Sequence, residues 1–240
     1  MTTIAVVNAG LSEESATARL GRAIEDALRA RAQAPDLAIR WVDLRPLARA
    51  IADNLTSGFP GPDLAQAIER VHAADGLVLL TPTYQASYSG LFKSFLDVLE
   101  DGTLAGKPVL IGATGGSARH SLITENAVRP VLIYMHADPV PTAVFAATED
   151  WGAHAADSSG NEGSRLSVRI RRAADELLDR LAGARRSAVP PAADALRAAE
   201  PPSSIPDPGD PLASEHGTSL RDAYPGFIDF DTLRARGGLQ

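Results

Sequence analysis

Short apolar runs alternate with helix-like segments along the first 185 residues of the chain. The runs are almost continuously apolar, which indicates strands buried on both faces of a parallel sheet. Five such strands are predicted, at residues 4–7, 37–44, 76–80, 108–113 and 141–146. Apolar residues recur every three or four positions between them, which predicts helices at 16–31, 62–74, 89–100, 121–136 and 164–184. This alternation is typical of a three-layer α/β fold.

The chain changes character after residue 186, since residues 186–240 hold 8 of its 17 prolines. Proline lacks the N–H group that a core helix or a central strand requires. We therefore predict one folded domain over 1–186 and an extended Pro/Ala-rich linker over 187–218. Residues 219–240 regain large apolar side chains and are predicted to form a docking segment.

Composition and charge narrow the classes of function. A net charge of −7 argues against general binding to nucleic acid, which needs clustered Lys and Arg. The chain has no cysteine, so disulfides, thiolate metal sites and cysteine nucleophiles are excluded. No apolar run approaches the roughly 18 residues that cross a bilayer, and the N-terminus lacks the features of a signal peptide. We expect a cytoplasmic protein with no membrane partner.

Three loops rich in Gly, Ser and Thr follow the predicted first, third and fourth strands. They are the first loop (residues 8–17, NAGLSEESAT), the second loop (81–90, TPTYQASYSG) and the third loop (112–121, GATGGSARHS). Ligands of open parallel sheets bind beyond the carboxyl ends of the strands, which is where all three loops lie. Together they form the candidate site.

The first loop enters a helix and carries the hydroxyls of Ser12, Ser15 and Thr17. Hydroxyls beside the free N–H groups of a helix start suit a phosphate monoester. The alternative is local capping, with Ser12 as the N-cap and Ser15 as its partner. Glu13 and Glu14 would oppose a dianion unless they face solvent.

The second loop combines donors for the edge of a polar ring, Thr83 and Gln85, with the aromatic face of Tyr84. Ser87 or Ser89 can cap the helix that follows. The alternative interpretation is an ordinary turn with exposed tyrosines.

The third loop places Gly115 and Gly116 directly after a buried strand, between Thr114 and Ser117. Glycine allows backbone N–H groups to approach a planar ligand. A tight left-handed turn would explain the same two glycines.

Motifs for other chemistries are absent from the chain. The nucleoside triphosphate loop GxxxxGK[ST] and the dinucleotide fingerprint GxGxxG are both missing. The segment GGSAR (115–119) departs from the nucleophile motif GxSxG because Arg119 replaces the final glycine. HExxH is absent and the histidines are scattered, so no metal site is predicted.

The second loop and the next helix carry the pattern P-x-Y-x-x-S-x-x-G, which begins at Pro82, followed by Phe92-Lys93 and Leu96-Asp97. With the TGGS of the third loop, this pattern resembles the NAD(P)H-dependent FMN reductase family over about residues 3–150. The resemblance implies a flavodoxin-like fold, a three-layer sandwich around a five-stranded parallel sheet in the order 2-1-3-4-5.

The resemblance also implies the ligands. FMN would place its phosphate on the first loop and its ring between the second and third loops. The implied FMN-binding residues are Ser12, Ser15, Thr17, Pro82, Thr83, Tyr84, Gln85, Ser87, Thr114, Gly115, Gly116 and Ser117. NAD(P)H would reduce FMN without a catalytic side chain, because the hydride passes between cofactors. Many members supply reduced FMN to a separate monooxygenase.

Two other functions stay open at this point. One is a flavodoxin-like electron carrier or flavin-binding module without nicotinamide activity, and the other is a quinone or azo reductase on the same fold. Self-association is also expected, since a helix that covers one sheet face carries a broad apolar stripe. The stripe comprises Leu91, Phe92, Phe95, Leu96 and Leu99, and it could equally be core within one chain.

Deletion of residues 219–240 should lower the melting temperature or change the oligomeric state, because burial of each large apolar side chain is worth roughly 1.5–3 kcal/mol. The segment gathers Tyr224, Phe227, Ile228, Phe230 and Leu233. Calorimetry and light scattering on the full-length and truncated chains test this prediction. Unchanged stability, mass and reductase rate, with loss of coupling to a monooxygenase, would instead identify a partner-docking segment.

Overall fold

The computed structural model describes residues 1–32, 37–151 and 165–187. The strands are β1 (Thr2–Asn8), β2 (Leu37–Asp43), β3 (Gly76–Tyr84), β4 (Ser87–Tyr88), β5 (Pro108–Gly115), β6 (Asp138–Pro139) and β7 (Val144–Ala147). The helices are α1 (Ala16–Ala32), α2 (Ala48–Ser57), α3 (Pro62–His72), α4 (Gly90–Asp97), α5 (Arg129–Tyr134) and α6 (Arg165–Ser187). Short 3₁₀ turns lie at Ala118–His120 and Thr148–Trp151, and a π-helical turn lies at Thr124–Val128.

The parallel sheet has the order β2-β1-β3-β5, and β6 and β7 both pair with the far side of β5. Since β5 and the β6/β7 pair are the predicted fourth and fifth strands, the predicted order 2-1-3-4-5 is confirmed. Asn8 lies opposite Asp43 and Leu80, and Pro82 lies opposite Thr114. The carboxyl ends of neighbouring strands therefore meet at one edge of the sheet.

The fifth strand position is interrupted, and β7 begins three residues later than the strand predicted at 141–146. Pro141 has no N–H group for the ladder, so side chains satisfy the backbone of the gap. Arg129 donates to the carbonyls of Val140 and Pro141 at 3.0 and 3.1 Å. The carboxylate of Glu176 in α6 accepts the N–H and the hydroxyl of Thr142, each at 2.7 Å.

Two apolar cores cover the two faces of the sheet. Ile4 and Val6 of β1 belong to the core under α1 and α6, whereas Ala5 and Val7 belong to the core under α2–α5. Successive strand residues point to opposite faces, so a strand buried on both sides needs apolar residues at every position. This is why the strands are continuous apolar runs in the sequence.

The helix predictions hold for α1, α3, α4 and α6 but differ elsewhere. Helix α2 was not predicted, and the segment predicted as one helix at 121–136 contains a π-helical turn followed by α5. The N–H of Arg129 closes the π turn on the Thr124 carbonyl. Pro130 has no N–H group for a further π-type hydrogen bond, so the π turn ends and α5 begins at Arg129.

The apolar stripe of α4 is core within the chain. Phe92, Phe95 and Leu96 are at most 3% exposed, and Leu99 is also buried. The argument from this stripe for self-association is therefore wrong, and self-association itself stays a prediction. The predicted linker 187–218 and docking segment 219–240 lie, apart from residue 187, outside the described residues. In the described parts, every helix is too short or too polar to cross a membrane.

Glu176→Gln should lower the free energy of unfolding at pH 7 by about 1–2 kcal/mol, because the amide loses charge-assisted hydrogen bonds. Burial raises the pKa of Glu176, but hydrogen bonds from Thr142 and Arg172 outweigh burial and lower it below its ordinary value of 4.5. A lowered folded-state pKa gives stability that is present above the unfolded pKa and lost as the pH falls through the folded pKa.

Urea denaturation between about pH 7 and pH 3 measures this effect. The difference between the wild type and Glu176→Gln should shrink as the pH falls, while Asp179→Asn, on the exposed side of the same helix, should differ little from wild type throughout. A deficit that is the same at both ends of the range would contradict the role given to the carboxylate.

Candidate functional site

The three loops come together at the carboxyl edge of the sheet. Ala9 of the first loop donates its N–H at 3.0 Å to the carbonyl of Leu80, the residue directly before the second loop. Pro82 of the second loop pairs with Thr114 of the third. The hydroxyls of Thr17 and Thr114 are 2.9 Å apart and join the first loop to the third. The three loops that form the candidate site are thus contiguous in the fold.

The first loop is folded back on itself by its own polar groups. Ser15, not Ser12, is the N-cap of α1, since its Oγ accepts the N–H of Ala18 at 3.0 Å. Asn8 Oδ1 accepts the N–H of Gly10 at 3.0 Å, and a Cβ on Gly10 would lie 2.1 Å from Ser15 Oγ. Glycine is needed at position 10 because the cap occupies the space of a side chain.

The start of α1 stays available to an anion. Within the described part of the chain, the N–H groups of Ala16 and Thr17 have no acceptor. Glu13 turns away from the helix to pair with Arg45 at 2.8 Å, and its side chain is 86% exposed. Glu13 and Glu14, the two carboxylates that could repel a phosphate, are both exposed, and Ser12 is exposed beside the helix start.

Thr17 and Thr114 are buried beneath the site, at 1% and 4% exposure. Each hydroxyl has the other as its hydrogen-bond partner. Both are predicted ligand contacts, and in the structure their hydroxyls pair with each other and join the first loop to the third.

The second loop is a tight hairpin, in which Thr83 pairs with Tyr88 and Tyr84 with Ser87. The two central residues, Gln85 and Ala86, have φ angles of 48° and 60°. Two-residue hairpins with both central residues left-handed normally use Asn and Gly there. Because neither residue is present, no hairpin was predicted here, and the turn carries backbone strain.

The hairpin leaves specific groups available to a ligand. Tyr84 is 47% exposed and Gln85 is exposed. Thr83 Oγ1 is buried and has no hydrogen-bond partner among the described residues. Ser89 caps α4 by accepting the N–H of Phe92 at 3.2 Å, so Ser87 is free of that role.

The two glycines of the third loop have different environments. A Cβ on Gly115 would lie 2.8 Å from Phe145 Cζ and 3.4 Å from Thr83 Oγ1, whereas a Cβ on Gly116 would meet nothing within 4 Å. Neither has a positive φ, so the alternative of a left-handed turn is wrong. Gly116 opens onto free space beside the exposed hairpin, and Ser117 is half-buried next to it.

The site residues that the sequence analysis missed are Asn8, Asp43 and Phe145. Asn8 is 4% exposed and joins the first loop to the end of β2 by donating to Asp43 Oδ1 at 2.9 Å. A polar residue that ends an otherwise apolar strand was the available signal. Phe145 gave no such signal, because its contact with Gly115 depends on the pairing of β5 with β7.

A family profile described as NADPH-dependent FMN reductase matches residues 2–152, from β1 to the last 3₁₀ turn. The chain belongs to this family. The match spans all three loops of the site and ends before α6.

Individual relatives agree with the family assignment. The NADH-dependent FMN reductase SfnF of Pseudomonas putida is 33% identical over 151 residues, 63% of this chain and 80% of that protein. A solved oxidoreductase of Corynebacterium diphtheriae shows 42% identity and a TM-score of 0.70, covering 76% of this chain and 98% of that one. An NADH:FMN oxidoreductase solved in its apo form shows 30% identity and a TM-score of 0.63, covering 76% and 90%.

The described residues suit the flavin of this family. The helix start offers N–H groups, Thr83 Oγ1 lacks a partner, and Gly116 faces open space. Among the residues that the structure covers, no cluster of three His, Asp or Glu side chains could hold a metal ion.

Thr17→Val and Thr114→Val should each lower the free energy of unfolding by about 1–3 kcal/mol, because each leaves a buried hydroxyl unpaired. The double variant should lose less than the sum of the two, since it removes both hydroxyls at similar volume. Urea denaturation of the four proteins tests this, with Thr56→Val on the exposed side of α2 as the control. Strictly additive losses would contradict the pairing.

Proposed function

We propose that this chain is an NAD(P)H-dependent FMN reductase whose flavin lies across the three loops at the carboxyl edge of the sheet. The observation that carries the proposal is the meeting of a free helix start, an exposed aromatic hairpin and an open glycine at one edge, in a member of the FMN reductase family. Flavin and nicotinamide nucleotides are its small-molecule ligands.

The phosphate of FMN is assigned to the first loop. Ser12 and the N–H groups of Ala16 and Thr17 contact it, while Ser15 holds the helix start in shape by capping Ala18. The positive end of the α1 dipole favours the negative charge. In this assignment Ser15 and Thr17 act on the phosphate through the geometry of the loop.

The isoalloxazine ring is assigned to the space between the second and third loops. Tyr84 and Gln85 lie on the hairpin side, and Gly116 and Ser117 lie on the opposite side. Thr83 Oγ1, which lacks a partner in the described residues, would lie 3.4 Å from a Cβ on Gly115 and supplies a polar contact at that boundary. Pro82, Ser87, Thr114 and Gly115 shape the two loops.

When bound, FMN accepts a hydride from the nicotinamide coenzyme, and this chemistry belongs to the cofactors. The residues of the chain bind and orient the two ligands, so no side-chain acid, base or nucleophile is assigned. Nicotinamide activity also separates this function from a flavodoxin-like electron carrier, which would bind flavin without oxidising NAD(P)H.

We further propose that FMN is a substrate that leaves after reduction to serve a flavin-dependent monooxygenase. The first loop contains no Lys or Arg, so this loop holds the phosphate by dipoles and a hydroxyl. Weak retention of the phosphate favours exchange of the flavin. NADH oxidation that depends on added FMN, and transfer of reduced flavin to a monooxygenase, would support this step.

Gly116→Val should weaken FMN binding by about tenfold or more without loss of stability, because its side chain would enter free space that the ring is assigned to fill. Gly115→Val is a poorer test, since a Cβ there already approaches Phe145 at 2.8 Å. Flavin fluorescence titration measures the affinity, and thermal unfolding checks the fold.

The matched control is Gly183→Val, in α6, where a Cβ also meets nothing within 4 Å. Helix α6 ends at the opposite edge of the sheet, as the ion pair of Arg180 with Asp138 shows. Equal FMN affinity in the wild type and Gly116→Val would contradict the assignment of the ring to the third loop. A protein that binds FMN but oxidises neither NADH nor NADPH would be a carrier instead.

A further inference from the structure

A second cavity, of about 800 Å³, opens beside the first loop on the α1 side of β2. Its lining includes Ser12, Arg22, Asp26, Trp41, Asp43 and Arg45. Pockets of roughly 300–1,000 Å³ hold ligands of nucleotide size. The flavin assignment above does not use this cavity.

The cavity is continuous with the proposed phosphate site, because Gly10 and Ser12 line it as well. Asn8 forms the boundary between the two, bonded to Gly10 on one side and to Asp43 on the other. A ligand with a phosphate near the first loop can therefore extend into the cavity without crossing a wall of the protein.

Three of the six charged side chains in the cavity lining, Glu13, Glu25 and Arg45, are in ion pairs. Arg45 is bonded to Glu13, and Glu25 accepts both Arg29 and the indole N–H of Trp41 at 2.7 Å. Glu25 thereby fixes the orientation of the only aromatic side chain in the lining.

Two exposed charges on α1, Arg22 and Asp26, have no partner among the described residues. Across from them, the Asp43 carboxylate receives one hydrogen bond, from Asn8, and keeps its other oxygen. The cavity thus offers one unpaired cation, carboxylate acceptors on two walls and an aromatic ring.

We propose that this cavity binds the AMP half of a dinucleotide that carries no phosphate at the ribose 2′ position. Arg22 contacts a phosphate, the carboxylates of Asp26 and Asp43 accept the ribose hydroxyls, and Trp41 contacts the base. The carboxylates disfavour a 2′-phosphate, which would bring a second dianion next to two negative charges. The proposal rests on the proposed function, because a reductase that acts on flavin and NAD(P)H meets dinucleotides among its ligands.

Two dinucleotides carry this AMP half. In FAD it is joined to the flavin phosphate, which the first loop is assigned to hold. In NADH it is joined to the nicotinamide that must reach the flavin ring. The recognised chemistry is the same in both.

Calorimetric titration of the full-length protein with ADP-ribose tests the cavity independently of any reductase activity. ADP-ribose should bind, and its 2′-phosphate derivative should bind at least about tenfold more weakly. Arg22→Ala should weaken the binding of ADP-ribose by about tenfold or more, because it removes a charge-assisted hydrogen bond. Arg49→Ala, an exposed arginine of α2 outside the lining, is the matched control.

Asp26→Asn should narrow the discrimination against the 2′-phosphate, since it removes one of the repelling charges. Failure of ADP-ribose to bind, equal binding of both ligands, or equal effects of Arg22→Ala and Arg49→Ala would each overturn the proposal. The three substituted residues are exposed, so we expect all three variants to fold, and thermal unfolding checks this.

Steady-state kinetics identifies which dinucleotide uses the cavity. If FAD does, Arg22→Ala raises the KM of FAD but not that of FMN. If NADH does, the variant raises the KM of NADH but not that of reduced nicotinamide mononucleotide, which lacks the AMP half. The proposal is overturned if Arg22→Ala changes neither the KM of FAD relative to that of FMN nor the KM of NADH relative to that of reduced nicotinamide mononucleotide. Absence of any FMN reduction by the wild type contradicts only the proposed function.

Discussion

The buried hydrogen bond between the hydroxyls of Thr17 and Thr114 is the contact on which the geometry of the site depends. It joins the start of α1 to the end of β5, two elements 97 residues apart in the chain. A helix start binds anions only where its N–H groups point, and a ring binds only where two loops leave the right gap. This contact fixes the first loop relative to the third, and the pairing of Pro82 with the same Thr114 fixes the second loop relative to the third.

Around this contact, the site is built from backbone more than from side chains. The start of α1 offers N–H groups, the hairpin is held by its ladder, and Gly116 offers open space. Side chains nearby mainly keep the backbone in place, as Ser15 does for α1 and Asn8 does for the first loop. Such a site suits a reaction between two cofactors, because this reaction requires that the ligands be positioned more than it requires a catalytic acid or base.

Backbone strain lies in the hairpin beside the ligand space, whereas the charge of Glu13 is paired with Arg45. The left-handed pair Gln85 and Ala86 lets the chain reverse in two residues, which presents Tyr84 at the edge. The pairing of Glu13 with Arg45 offsets the charge of a carboxylate that belongs to the first loop. Both side chains also line the neighbouring cavity, so this ion pair lies between the phosphate site and the cavity.

Periodicity predicted the parallel sheet and four of the helices, because burial on two faces forces continuous apolar strands. The strand order came from the family resemblance and not from periodicity. The loop positions followed from the rule that ligands bind at the carboxyl ends of parallel strands. The roles of Ser15, Thr17 and Thr114 did not follow, because a hydroxyl in sequence does not reveal whether its partner is a ligand or a residue 97 positions away. The break at Pro141 and the crowding of Gly115 by Phe145 likewise arose only when distant strands were brought into register.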